Sequence, residues 1–151
     1  MIDDLYSTKI LALAANLPRL GRLTAPDGVA EKTAKLCGSR IRVEVVLADG
    51  VVADYAQEVS ACALGQASAA ILATHVVGAT PAEIELARDA FRAMLKENGP
   101  APQGRFSDLI MLEPVRDFPA RHASTLLAFE AAVDACRAAG LTSRTRRAGA
   151  A

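Results

Sequence analysis

The chain alternates between two hydrophobic periods. In "DDLYSTKILALAANL", residues 3–17, Tyr6, Ile10, Leu13 and Leu17 fall on one stripe, the spacing of an amphipathic helix. Asp3 and Asp4 suit the positive end of its dipole. "PRLGRLTAPDG" breaks it with Pro18, Gly21, Pro26 and Gly28. The period then drops to two in "IRVEVVL": Ile41, Val43, Val45 and Leu47 point one way, Arg42 and Glu44 the other. "ADG" is a turn, "VVADYAQEV" the returning strand, and "VAEKTAKL" a weaker third strand.

Helical spacing returns from about Leu64 to Val77, a mostly apolar stretch in which Gly65, Ala67, Ser68 and Ala70 let neighbouring backbone come close. Gly78 ends it. Thr80, Pro81 and Glu83 then form a capping box, followed by a buried stripe of Ile84, Ala87, Phe91 and Leu95. "ENGPAPQGRFSD" reads as a loop. A last helix is expected from about Ser124 to Ala139, with Leu126, Phe129, Val133 and Cys136 on one stripe and Glu130, Asp134 and Arg137 on another. The order predicts an α+β fold: a small antiparallel sheet with helices packed on one face.

The 151 residues fit one domain, residues 1–140, followed by a basic flexible tail, 141–151, that carries Arg144, Arg146 and Arg147. A chain of this length buries roughly two thirds of its unfolded surface and needs no staples. Seventeen basic residues balance seventeen acidic ones, which argues against a nucleic-acid or membrane footprint. Without a spanning apolar run or a signal-peptide pattern, the chain reads as cytoplasmic. In a reducing compartment its three cysteines are thiols or metal ligands rather than disulfides.

Two of those cysteines flank the strand pair. A two-residue turn at Asp49–Gly50 pairs Ala48 with Val51 and, carried outward, Cys37 with Cys62. The apolar phases fit better one residue off, which implies a bulge or a longer turn. Either way the two thiols are expected as neighbours at the open end of the hairpin. Cys136 is expected in the core, about 12 helical residues and 18 Å beyond Ser124. His75 is expected to be structural. Ser124 reads as an N-cap, and that alone would account for it.

"LCGSR" before a strand, "ACALGQASAA" opening a helix and "FPARHAS" opening the last helix resemble the IscU/SufU/NifU N-terminal family of iron–sulfur cluster assembly scaffolds. "LYSTKILALAANLPRLGRL" resembles the opening helix and N-P-R-x-G turn of that family, and "MLEPVRDFPAR" its SufU branch. The similarity spans about residues 5–138. It implies a SufU/IscU-like fold in which three thiolates and an aspartate surround a zinc ion or a nascent cluster, with sulfur delivered by a cysteine desulfurase and the product passed to recipient apo-proteins. By position Cys37 and Cys62 match the first two ligands. Ser39 stands where the family has aspartate and Ser124 where it has the third cysteine, so two ligand positions are replaced by hydroxyls. His122, near Ser124, is a candidate third metal ligand.

Three readings follow. The chain is an iron–sulfur assembly protein, not an enzyme, whose cofactor is iron or a labile cluster on Cys37, Cys62 and His122. A ligand from water, a small thiol or a second protomer of a homodimer would complete the shell. Alternatively it is a zinc-bound sulfur acceptor working through Cys62, or a metal-free binding or regulatory module. A cysteine hydrolase using Cys62 and His122 is disfavoured, because no orienting Asn or Asp and no oxyanion motif accompany them.

Overall fold

The structure, a computed structural model, describes residues 6–36 and 38–150, with side chains up to residue 140. The first helix, α1 (Thr8–Ala15), is shorter than its periodicity suggests. Ser7 caps it, its Oγ accepting from the Ile10 amide at 3.3 Å. Ile10 is buried, and Tyr6, Leu13 and Leu17 pack on the core as the stripe predicts.

All three expected strands form: β1 (Gly28–Ala34), β2 (Ser39–Ala48) and β3 (Val51–Ser60), antiparallel and in the order β1-β2-β3. Asp49 and Gly50, both at positive φ, make the two-residue turn. Ala48 faces Val51 and Leu47 faces Val52, but Val46 faces Asp54, so Ala53 is the extra residue of a bulge. The bulge reconciles turn and apolar phases. It sets Val45 opposite Tyr55 and Val43 opposite Gln57, with all four side chains buried.

The outer face is less open than alternation implies. Glu44, in the polar phase of β2, is buried under the segment that follows α1. Its Oε1 accepts from the Leu23 amide at 2.9 Å and its Oε2 from Arg42 Nε at 3.0 Å. Gln57 holds the same segment from β3: its Nε2 donates to Pro18 O at 3.0 Å, its amide to Arg19 O at 2.9 Å, and its carbonyl accepts from Gly21 N at 2.9 Å.

The helices α2 (Ala63–His75), α3 (Pro81–Lys96) and α4 (His122–Ala150) complete the core. Thr80 Oγ1 accepts from the Glu83 amide at 3.0 Å, the expected cap. The loop read in "ENGPAPQGRFSD" stops at Gln103, where a run of 3-10 turns begins (Gly104–Asp117) and buries Phe106, Leu109, Leu112 and Val115. Phe129 of α4 receives Phe91 and Phe106 edge-on, at centroid distances of 5.6 and 5.5 Å, tying α3 and that run to α4. The second stripe of α4 pairs outward: Glu130 with Arg92, Asp134 with Lys32 and Arg137 with Glu85. The backbone of α4 is helical as far as Ala150, beyond the expected end near Ala139.

Two glycines let α4 sit this close. A Cβ on Gly28 would lie 2.0 Å from the Ala135 carbonyl and 2.9 Å from the Ala139 Cβ. A Cβ on Gly65 would lie 2.9 Å from Ala61 Cβ and 3.0 Å from Ser124 Oγ. The small-residue stripe of α2 is therefore the seat of the start of α4.

Gly28→Ala is expected to lower the unfolding free energy by about 1–3 kcal/mol or more, the cost of overpacking a backbone contact. Gly140, with nothing within 4 Å of a built Cβ, should gain about 0.5–1 kcal/mol as Ala. Urea denaturation of both variants reads the contrast.

Candidate functional site

Three of the residues singled out in the sequence meet at one end of the sheet. Ser39 opens β2 on the inner face, opposite Ala34, after a turn closed by the Gly38 amide bonding to Ala34 O at 2.9 Å. Cys62 is the N-cap of α2, and its side chain caps no amide. Ser124 lies on the first turn of α4. Ser39 Oγ and Ser124 Oγ are 3.0 Å apart, and Cys62 Sγ is 3.3 Å from Ser124 Oγ. Ser39 is 3% and Ser124 2% exposed, whereas Cys62 is half-buried.

Ser124 is not the N-cap that its setting suggests. The 3-10 turn Pro119–Arg121 runs directly into α4, so the helix begins at His122. The Ser124 hydroxyl is thereby turned inward, over Gly65, onto Ser39 and Cys62. The signal for this was the glycine at position 65, which leaves space for a side chain from another element.

His122 is 6% exposed, and its Nε2 lies 3.0 Å from the Val115 carbonyl, to which it donates. Two residues along a helix is about 200° of rotation, so His122 and Ser124 leave α4 on opposite sides. Nδ1 is the ring nitrogen left for a metal. Cys37, the other expected thiol, lies outside the described residues. Among the described residues no group of three His, Cys, Asp or Glu side chains stands at ligand spacing.

Geometry and chemistry diverge here. Donors around a tetrahedral zinc, at bonds of about 2.0–2.3 Å, stand about 3.3–3.8 Å apart. The two contacts that Ser124 makes, at 3.0 and 3.3 Å, are only a little tighter. The donor types do not suit a metal: a serine hydroxyl stays protonated near neutral pH, and zinc and iron–sulfur clusters select thiolate. Two of the three positions are already satisfied by a hydroxyl–hydroxyl bond.

Cys136 stands apart, buried in the core beneath the sheet. Burial pushes its thiol up to about 11 from 9.0. Burial also raises the Tyr55 phenol, with the Cys136 charge adding to it. His75 ends α2 and its Nε2 lies 3.0 Å from Asp108 Oδ2, while Arg105 bonds to the carbonyls of His75, Val77 and Gly78. Both belong to the packing of the 3-10 run on α2. No helix among the described residues is long and apolar enough to cross a membrane.

Residues 5–123 match the sequence profile of the NifU-like N terminal domain. The chain is 55% identical to a nitrogen-fixing NifU-like protein (N-terminal) from Brucella abortus, with 93% of this chain and 97% of that one covered and a TM-score of 0.91. A putative iron–sulfur cluster assembly scaffold protein for the SUF system from thermophilic Fervidobacterium islandicum AW-1 is 19% identical. There 89% of this chain and 98% of that one are covered, with a TM-score of 0.81, a likeness of fold. No curated protein matches the chain.

Cys136 is expected to resist a maleimide at neutral pH and to react once urea unfolds the chain, read by peptide mass spectrometry. Its raised pKa adds stability that is full below about pH 9 and lost as pH rises through about 11. Cys136→Ala should flatten that part of the alkaline decline, and the part due to Tyr55 should remain.

Proposed function

Because the chain belongs to the NifU-like N-terminal domain family, we propose that it binds iron or a labile [2Fe–2S] cluster during iron–sulfur cluster assembly and passes it to apo-proteins. It does so as a carrier, not an enzyme. Sulfur comes from a cysteine desulfurase, as the resemblance implies. The observation that carries the reading is the convergence of Ser39, Cys62 and Ser124, from β2, the mouth of α2 and the first turn of α4, on one point. By the resemblance, these match in that order the family's aspartate, second and third ligand positions. A side chain from each of three elements meets there although only one of them is a thiol.

Cys62 supplies one thiolate in this reading, and Cys37, two residues before Ser39, the other. His122 adds a donor only through Nδ1, since Nε2 is engaged by Val115. Thiolate favours zinc and iron–sulfur clusters over the hard cations, so the two cysteines select the cargo while the two serines weaken its hold. Weak retention suits a protein that must release what it carries.

Protein purified without oxygen should contain iron and acid-labile sulfide. Both should be lost in Cys37→Ser/Cys62→Ser and kept in Cys136→Ser. Zinc without sulfide would replace this reading by that of a sulfur acceptor, and no metal even after reconstitution by that of a binding module. His122→Ala should speed the loss of iron to a chelator; an unchanged rate would remove histidine from the ligand set.

A further inference from the structure

We infer that the outer face of the sheet binds a small polyvalent oxyanion, at a site that shares no residue with the metal-binding reading.

Beside Glu44 this face is charged, and the strand register lays it out in rows. Arg42 of β2 lies between Glu31 of β1 and Glu58 of β3. One row nearer the open end of the hairpin, Arg40 lies between Thr33 and Ser60, both exposed. Arg22, from the segment that follows α1, reaches the same place, and its Nε donates to Glu58 Oε1 at 2.7 Å. Arg22, Arg40, Arg42, Glu31, Glu58 and Ser60 line a cavity of about 440 Å³.

Arg42 is held in place for this role. Its Nε donates to the buried Glu44 at 3.0 Å, and Glu44 is fixed in turn by the Leu23 amide. That bond sets the plane of the guanidinium and leaves its two Nη groups for the cavity, where Nη1 lies 3.9 Å from Glu31. Arg40 has Glu31 at 3.9 Å, too far for a hydrogen bond. A solvated charge ladder sets an acid opposite each arginine, and the row of Arg40 has none. Three guanidinia thus lean on two exposed carboxylates, at 2.7 Å for Arg22 and 3.9 Å for the others. Exposed pairs of this kind hold their partners weakly, so an anion entering the cavity displaces them at small cost.

The spacing sets the class of ligand. Arg40 and Arg42 are two residues apart on one strand, about 7 Å at the backbone. Two planar forks at that spacing, with a third from Arg22, suit a compact molecule that carries more than one oxyanion group. The lining has no aromatic ring, so selection is by charge and size. The shared chemistry is that of polyphosphates and polycarboxylates.

Titration calorimetry on the full chain tests this in about 0.15 M salt, where exposed charges more than about 8 Å apart are screened. The probes are pyrophosphate and citrate, with acetate as the monovalent control. Saturable one-to-one binding of either probe, and none of acetate, is expected, and the probe that binds names the source. Arg40→Gln and Arg22→Gln should each weaken binding about tenfold. Arg137→Gln removes the same charge from the helical layer and should leave it unchanged. Glu58→Gln removes a competing carboxylate and should tighten binding about threefold. The Cys37→Ser/Cys62→Ser chain should bind the probes as wild type does; loss of binding there would mean that a metal holds the probe, and the inference falls. It falls equally if neither probe saturates, or if Arg137→Gln weakens binding as much as Arg40→Gln does.

Discussion

The seating of α4 against the backbone of β1 and α2 is the constraint on which the rest of the structure depends. At Gly28 and Gly65 there is no space for a Cβ. Between these contacts α4 presents Phe129 to the aromatic cluster and Ala135 and Ala139 to the sheet. Helix, strand and helix mouth are thereby fixed along one line about 15 residues long, or roughly 22 Å at the helical rise. The candidate site is the far end of that line. Ser124 reaches Ser39 and Cys62 because the packing behind it leaves α4 one position, not because the three side chains attract one another strongly.

That ordering separates the fold of the site from its chemistry. Three thiolates and an aspartate converging within hydrogen-bond distance would repel one another in the absence of a cation, since like charges that close are costly in a partly dry setting. Two neutral hydroxyls at 3.0 Å attract instead, by about 0.5–1.5 kcal/mol net for such a bond. The pair of hydroxyls that would be poor ligands for a soft metal thus stabilises this end of the sheet without one.

Much of this was legible in the sequence, and the failures have physical reasons. The register is a clear case: the short turn and the apolar phases disagree by one residue, and Ala53 resolves the disagreement. The Thr80 cap and the two stripes of α4 depend on local spacing, which the sequence carries directly. Glu44 does not. Strand alternation sends it to the outer face, but only tertiary structure reveals that the segment after α1 lies over that face and donates an amide to it. The 3-10 run is similar. It starts inside a proline- and glycine-rich segment that reads as loop, while Phe106, Leu109, Leu112 and Val115 bury a core face that no regular period announces.

Ser124 was the least legible residue of the site. A serine near a helix start has two uses for its hydroxyl: capping its own helix, or bonding across to another element. Local sequence favours the first. The difference is decided two to five residues earlier, where Pro119 starts a 3-10 turn that begins the helix at His122 and so moves Ser124 inside it. Once inside, its hydroxyl is no longer needed at an amide and faces whatever lies opposite, which at this end of the sheet is Gly65, Ser39 and Cys62. The same shift turns His122 toward Val115, away from that point. A single turn ahead of α4 thus decides which of two neighbouring polar residues faces Ser39 and Cys62: it is the hydroxyl of Ser124, while the imidazole of His122 keeps only Nδ1 as a free donor.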